Sequence, residues 1–234
     1  MEKYIVTDLT RFGAGNEDVC TAVIDIKTGE CLRPIPYLKS ARVQELNIHP
    51  GAILKGKISK NADASNPHIE DASYADLGYE GPASGKEFKA ILDRTLSPSV
   101  TSGFGITLAE NQKHIPVGVQ TNCSIVTVKI SPAALSIHED QYNAGRIKAS
   151  FTDADGHYFS YLPITDRGFY DYAKKHQNDG QLKNVRQFIK SQAELYLRVG
   201  VSRIHQSSDG RNGYWIQVNG IYTFPNFYEE IREY

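Results

Sequence analysis

The stretch that decides the fold is YWIQVNGIYTF, residues 214–224 of the 234-residue chain. Asn219-Gly220 stands between two runs in which apolar and polar side chains alternate. Because both central residues of a type I′ turn need positive φ, Asn-Gly between such runs is the strongest short-range signal for a β-hairpin. A turn at this position pairs Val218 with Ile221 and thereby fixes the register of the two strands.

The pleat of a β-strand places alternate side chains on opposite faces, so the predicted hairpin has an apolar face and an aromatic face. The aromatic face consists of Trp215, Gln217, Tyr222 and Phe224. In the preceding apolar strand, residues 195–201, the leucines and valines at odd-numbered positions share one face. Tyr196 and Arg198, at even-numbered positions, lie on the opposite face and extend the aromatic face. Such a surface can stack nucleic acid bases. The alternative is that the rings fill a second core, against a helix or another domain.

The composition is that of an ordinary globular protein, with 40% apolar residues, and the length allows one large or two small domains. We find no signal sequence and no apolar run long enough to cross a membrane, and therefore expect a cytoplasmic protein without a membrane partner. Three cysteines without CxxC spacing favour neither a disulfide framework nor a zinc site.

The formal net charge of −1 argues against a protein that coats duplex DNA, because nonspecific affinity depends on phosphate neutralisation by Lys and Arg. The charges are unevenly distributed. Residues 167–211 include nine Lys or Arg and four Asp or Glu, whereas residues 63–80 contain no Lys or Arg. The basic stretch adjoins the predicted hairpin. A solvated charged surface is the alternative interpretation.

The chain divides into two halves of similar pattern. Strand-like runs cover residues 4–9, 19–26, 30–35 and 52–58, and Ser84 with Glu87 forms a capping box that predicts a helix over residues 85–96. Asp155-Gly156 predicts a hairpin in the second half. Ser131-Pro132 offers a boundary, which gives domains at 1–132 and 133–234. We predict a mainly β fold with a few helices, an α+β arrangement of two OB-like small β-barrels packed as one unit.

Five strings resemble a known family: VTDLTRF (residues 6–12), CLRP (31–34), NPHIED (66–71), LPITD (162–166) and QVNGIYTFP (217–225). Together they resemble a prokaryotic family described as containing a dual OB domain, and the resemblance spans nearly the whole chain. It implies two OB-like barrels. Nucleic acid binding follows from it only as an analogy at the level of the fold.

These observations predict a non-catalytic module that binds nucleic acid, single-stranded or structured, or a nucleotide. Such a module could be accessory to a larger nucleic-acid-processing or defence system. Arginines beside strands can grip phosphate or stack on a base. The expected binding residues are Arg11, Arg33, Tyr196, Arg198, Arg203, Trp215, Gln217, Tyr222 and Phe224. The alternative for each arginine is a local salt bridge, with Asp8, Asp25 or Asp166 as its partner. No cofactor is expected.

Two other functions remain open at this point. His68, Glu70 and Asp71 lie in one predicted loop and could hold a hard cation in a metal-dependent hydrolase that acts on nucleic acid. Their spacing matches no known metal motif, and a turn-capping acidic loop is the favoured explanation. The chain also lacks a GxSxG nucleophile elbow, so an enzyme is the less favoured interpretation. An exposed aromatic face would instead suit a protein interaction module.

Overall fold

The computed structural model describes residues 1–13, 15–227 and 231. The N-terminal part of the chain contains β1 (Glu2–Arg11), β2 (Asp18–Asp25), β3 (Cys31–Pro34), β4 (Leu38–Lys39), α1 (Ser40–Glu45), β5 (Ala52–Lys60) and β6 (Asp71–Pro82). Strand β1 pairs with both β2 and β5, and β3 pairs with β6 in parallel. The strand order β1, β5, β6, β3, β2 therefore closes on itself. We call this five-stranded structure the first barrel.

The segment after the first barrel contains α2 (Gly85–Arg94), α3 (Val100–Phe104) and β7 (His114–Pro116). The predicted capping box is present, because the Ser84 side chain accepts from the Glu87 amide while Glu87 accepts from the Ser84 amide. It fixes the start of α2, as predicted. No helix within the described ranges is both long enough and apolar enough to cross a membrane.

The second barrel is built from β8 (Ile125–Ile130), β9 (Leu135–Glu139), β10 (Ile147–Thr152), β11 (Tyr158–Pro163), α4 (Arg167–Asn178), α5 (Leu182–Lys190), β12 (Glu194–Val201), β13 (His205–Gln206) and β14 (Asn212–Phe224). One sheet orders β11, β10 and β9, and the other orders β13, β14, β12 and β8. A parallel bridge between Ile164 and Val218 joins the two sheets on one side. On the other, β8 and β9 follow each other around a 3₁₀ turn at Pro132–Ala134. Two OB-like barrels are thus confirmed.

The predicted boundary at Ser131-Pro132 does not coincide with the change from one core to the other. It lies in the turn between β8 and β9, within the wall of the second barrel. Val100 and Phe104 of α3 and Val126 of β8 already belong to the second core. Pro132 begins this 3₁₀ turn, a position where its missing amide hydrogen costs no ladder hydrogen bond.

The prediction of a hairpin at Asn219-Gly220 is wrong. Strand β14 continues straight through this dipeptide, and Gly220 does not have positive φ. Instead, Asn219 is the extra residue of a β-bulge, because Arg198 pairs with Gly220 while Val199 pairs with Val218. A bulge reverses the parity of the following residues, just as the predicted turn would have done. For that reason the four residues of the aromatic face do lie on one side of the sheet.

The hairpin predicted at Asp155-Gly156 is confirmed. Thr152 of β10 pairs with Tyr158 of β11, and the chain turns between them. Gly156 has a φ of 80°, which is the left-handed conformation that glycine adopts at little cost. The same kind of dipeptide therefore marks a turn here and a bulge in β14.

Candidate binding groove between the barrels

Four of the predicted binding residues lie in the contact between the two barrels. Tyr196 and Tyr222 are fully buried, and Phe224 is 5% exposed. They form one core with Phe88 of α2 and Ile5 of the first barrel, and the Tyr222 hydroxyl donates a hydrogen bond of 2.5 Å to the Thr7 carbonyl oxygen. The expectation of an open aromatic face is therefore wrong at this end of β14, where the alternative of a second core applies.

Arg198 also lies inside this contact, and its predicted exposure is wrong. Its Nε donates to Oδ2 of Asp8 at 2.8 Å, and its Nη1 donates to the Thr127 hydroxyl at 2.7 Å. Both Arg198 and Asp8 are 1% exposed. The local salt bridge considered as the alternative is thus present, and Arg198 joins the barrels rather than facing solvent.

Trp215 and Gln217 remain half-buried at the other end of the same face. The Trp215 ring stacks on His114, with ring centroids 5.1 Å apart, and the Arg211 guanidinium lies 4.9 Å from the Trp215 ring centroid. Here β14 runs along an opening between the barrels, so the face splits into a buried part and an accessible part.

The opening contains two adjoining pockets, which we call the inner pocket and the outer pocket and together the groove. The inner pocket has a volume of about 290 Å³ and is lined by Thr10, Arg11, Phe12, Cys20, Arg33, Tyr37, His68, Val201, Ser202, Arg203, His205, Gln217 and Asn219. The outer pocket, of about 400 Å³, is more open and shares Arg11, Phe12 and Gln217 with it. Predicted residues Arg11, Arg33, Arg203 and Gln217 thus meet in one place.

A bridged pair of arginines forms one wall of the inner pocket. Asp71 accepts from Arg33 Nε at 2.6 Å and from Arg203 Nη1 at 2.7 Å, and Arg203 Nε donates to the Tyr37 hydroxyl at 2.8 Å. Burial raises the pKa of Asp71, but the hydrogen bonds and charges of Arg203 and Arg33 lower it more, so that the carboxyl stays ionised. The single carboxylate of Asp71 therefore binds both guanidinium groups, those of Arg33 and Arg203.

Two buried groups of this pocket have unsatisfied polar atoms. Arg33 Nη2 has no hydrogen-bond partner among the described residues, and the ring nitrogens of His68 make no hydrogen bond of standard geometry there, although the Ser202 main chain lies close to the ring. Burial, followed by the charges of Arg33 and Arg203, lowers the pKa of His68 to about 3, although the Ser202 main chain opposes this shift. The imidazole is therefore neutral at pH 7. A buried polar atom without a partner costs about 1–3 kcal/mol.

Arg11 lies where the inner and outer pockets meet. Its guanidinium stacks on the Tyr170 ring at 3.8 Å from the centroid. It forms no ion pair within 4 Å in the described part of the chain, although Asp171 is near enough for the Arg11 charge to oppose the rise that burial causes in the pKa of that carboxyl. The outer pocket adds Arg146 and Lys148. The charge of Arg11 is thus available to a ligand in either pocket.

The metal ligands considered as an alternative do not form a site. Glu70 accepts from the Ser124 amide at 2.6 Å and from the Ser124 hydroxyl at 2.7 Å, which joins the first barrel to β8. Asp71 binds two arginines, and His68 is neutral and buried. Over residues 1–13, 15–227 and 231, no group of three or more His, Cys, Asp or Glu side chains is arranged to hold a metal ion.

Several residues of the groove were not predicted from the sequence. Phe12 and Tyr37 bring aromatic rings to the inner pocket, with ring centroids 5.0 Å apart. Arg146 and Lys148 flank the start of β10, more than 130 residues after Phe12. The basic stretch from 167 to 211 does not contain them, and only the pairing of the barrels brings them together. The one feature of the sequence that could have identified Phe12 as a groove residue is its position directly after Arg11, which was a predicted binding residue.

Comparison with known proteins agrees with this architecture. A family model described as "Dual OB-containing domain" matches residues 13–221. No curated protein and no solved structure shows a significant match.

Proposed function

This chain belongs to the family with a dual OB-containing domain, and we propose that it binds single-stranded nucleic acid in the groove between its barrels. Barrels of the OB type are binding folds for oligonucleotides and oligosaccharides. The fold alone leaves the ligand open, so the proposal depends on the chemistry of the groove.

The observation that carries the proposal is the charge of the groove lining. Five basic residues line the two pockets, and among the described residues no Asp or Glu does: the basic residues are Arg11, Arg33, Arg146, Lys148 and Arg203. The carboxylates behind this lining are fewer, since Asp71 bridges Arg33 and Arg203 and Asp140 lies 3.7 Å from Lys148. The chain as a whole has a net charge of −1. Positive charge concentrated in a concave site favours a polyanion, because low-dielectric walls strengthen the local potential.

The position of the groove supports the same ligand. OB folds bind oligonucleotides on the face of their second and third strands, between the loops after strands one and four. In the first barrel, Cys20 lies on β2, Arg33 on β3, Phe12 follows β1 and His68 follows β5. All four line the inner pocket, which therefore occupies the binding face of an OB fold.

Aromatic rings supply the second element of recognition. Phe12 and Tyr37 in the inner pocket are half-buried, so part of each ring is accessible. Trp215 is half-buried next to the pocket lining, where its Nε1 donates to the His205 carbonyl oxygen. Stacking on such rings contributes about 1–3 kcal/mol per base and tolerates any sequence. The pockets favour single strands, because unstacked bases can enter spaces of this size while a duplex cannot.

Fluorescence anisotropy with a labelled oligonucleotide tests the proposal. We expect the full chain to bind single-stranded DNA or RNA more tightly than duplex, with an affinity that falls as salt rises. Arg11→Ala and Lys148→Ala should each weaken binding about tenfold, as expected for a lost charge-assisted contact. Lys86→Ala is the matched control, because Lys86 is exposed on α2 and does not line the groove.

The control variant should bind like the original chain. Equal affinity in all three variants, each with an unchanged melting temperature, would place any binding outside the groove. No binding of any strand at low salt would reject the proposed function.

A further inference from the structure

We propose that the inner pocket recognises a phosphate monoester, the group at a phosphorylated end of a nucleic acid strand and on a free nucleoside monophosphate. This inference rests on the proposed function, because the outer pocket would hold the nucleotides that follow the phosphorylated end. It assigns to the inner pocket a chemical group that distinguishes one end of a strand from its interior.

The first support is the set of buried groups without partners. Arg33 is 4% exposed and His68 is 7% exposed. Arg33 Nη2 makes no hydrogen bond within the described ranges, and the ring nitrogens of His68 make none of standard geometry, with the Ser202 main chain as their near neighbour. Native proteins leave few buried polar atoms in this state. The guanidinium nitrogen offers two N–H groups and the neutral imidazole offers one. The Arg33 nitrogen can donate to a ligand rich in acceptor oxygens, and the single His68 N–H can do so when the ring turns from the Ser202 main chain.

The second support is the local charge. Arg33 and Arg203 share the single carboxylate of Asp71, which leaves one positive charge unbalanced beside the inner pocket. Arg11 adds another at its edge. A phosphate monoester carries a charge of about −1.5 to −2 at pH 7, and a diester inside a strand carries only one. The charge of the pocket therefore matches a monoester more closely than a diester.

The third support is the size of the pocket. Its volume of about 290 Å³ is the smaller of the two and the more enclosed. Small-molecule sites typically begin at about 300 Å³. A pocket of this size suits the terminal nucleotide of a strand rather than a strand that continues through it. Phe12 and Tyr37 are placed to contact the base or sugar that follows the phosphate.

Three oligonucleotides of one sequence test the inference: one with a 5′-phosphate, one with a 3′-phosphate and one with hydroxyl groups at both ends. Adenosine 5′-monophosphate is the fourth ligand and represents the free nucleotide. We expect one phosphorylated strand to bind about tenfold more tightly than the strand without phosphate, the gain expected from a charge-assisted hydrogen bond.

Variants connect this preference to the inner pocket. His68→Asn and Arg33→Lys should reduce the ratio of the affinities for the phosphorylated and unphosphorylated strands to less than about twofold, whatever they do to the binding of both strands. Lys148→Ala in the outer pocket should weaken all strands equally. Because Arg33 is buried, its variant is used only if its melting temperature stays near that of the original chain. His68→Asn provides the second, independent variant.

Nuclear magnetic resonance gives a direct readout of His68. Its imidazole nitrogen signals, assigned by their loss in His68→Asn, should shift when the phosphorylated strand or adenosine 5′-monophosphate is added. A phosphate that docks elsewhere would leave these signals unchanged, and that result would overturn the inference.

The outcomes separate the two proposals. Equal affinity for all three strands overturns the phosphate inference and leaves the proposed function standing. A preference for one phosphorylated strand supports both proposals. Binding of adenosine 5′-monophosphate with a shift at His68 but no binding of any strand supports the monoester site and overturns the proposed function. No binding of any of the four ligands overturns both.

Discussion

Arg198 of the second barrel and Asp8 of the first form a buried ion pair, with Nε and Oδ2 2.8 Å apart and both side chains 1% exposed. The pair lies beside the aromatic core that contains Tyr196 and Tyr222. The two barrels therefore share a contact that is apolar in one part and charged in another. Such a contact fixes the relative orientation of the walls of the groove.

Loss of one partner of this pair should destabilise the whole chain. Arg198→Ala leaves Asp8 buried without its counter-ion, which typically costs about 3–5 kcal/mol of unfolding free energy. Urea denaturation followed by circular dichroism measures it. Arg211→Ala is the control, because the ion pair of Arg211 with Asp209 is exposed and such pairs contribute little. A fall in stability that is no larger for Arg198→Ala than for the control would contradict this prediction.

Gly200 should be required by the bulge in β14. A Cβ atom at this position would overlap the side-chain amide of Asn219. We expect Gly200→Ala to lower the unfolding free energy by about 1–3 kcal/mol, the usual cost of overpacking. Gly85→Ala is the control, since a Cβ atom there meets nothing within 4 Å. Thermal denaturation of both variants tests the prediction, which fails if Gly200→Ala lowers the melting temperature no more than Gly85→Ala does.

A double variant tests the cause of that loss. Asn219→Ala combined with Gly200→Ala removes the overlapping amide, so the double variant should be more stable than Gly200→Ala alone. If the two losses simply add, the overlap is not the reason for the glycine.

The pattern of β12 and β14 shows how far sequence determined this structure. Alternation correctly placed Tyr196 and Arg198 on the face opposite Leu195 and Leu197, because parity depends only on the local chain. It did not reveal what covers that face. The covering residues include Ile5 and Phe88, which lie more than 100 residues away in the chain. Long-range packing of this kind leaves no local periodic signal.

The two glycine-containing dipeptides show a second limit. Asp155-Gly156 forms the turn that its composition predicts, whereas Asn219-Gly220 forms a bulge. The difference arises from β12, which pairs with β14 on both sides of the dipeptide and so holds it extended. Likewise, the arginines of the groove were predicted singly, but their convergence depends on the pairing of two barrels.

Trp215 and Phe224 should respond differently to truncation, although they lie on one face of β14. Phe224→Ala opens the core between the barrels and should cost about 3–5 kcal/mol of unfolding free energy. Trp215→Ala removes a half-buried ring beside the groove, so it should weaken binding of a single strand by about tenfold, within the range for one stacked base. Anisotropy and urea denaturation of both variants provide the comparison. The assignment fails if Trp215→Ala unfolds the chain as readily as Phe224→Ala does.

His68 should make the stability of the chain depend on pH. Its pKa is about 3 in the folded protein, against 6.5 for an unperturbed histidine. The unfolded chain therefore binds a proton at this residue between these values while the folded chain does not. The contribution of His68 to the unfolding free energy is fully present above pH 6.5 and falls as the pH drops below it, by about 1 kcal/mol per pH unit.

His68→Gln should reduce that slope between pH 6.5 and 5, where most carboxyl groups are still ionised. Equal slopes in the original chain and His68→Gln would show that His68 is accessible to protons in the folded state, and its single N–H would then not be the buried donor on which the phosphate site depends.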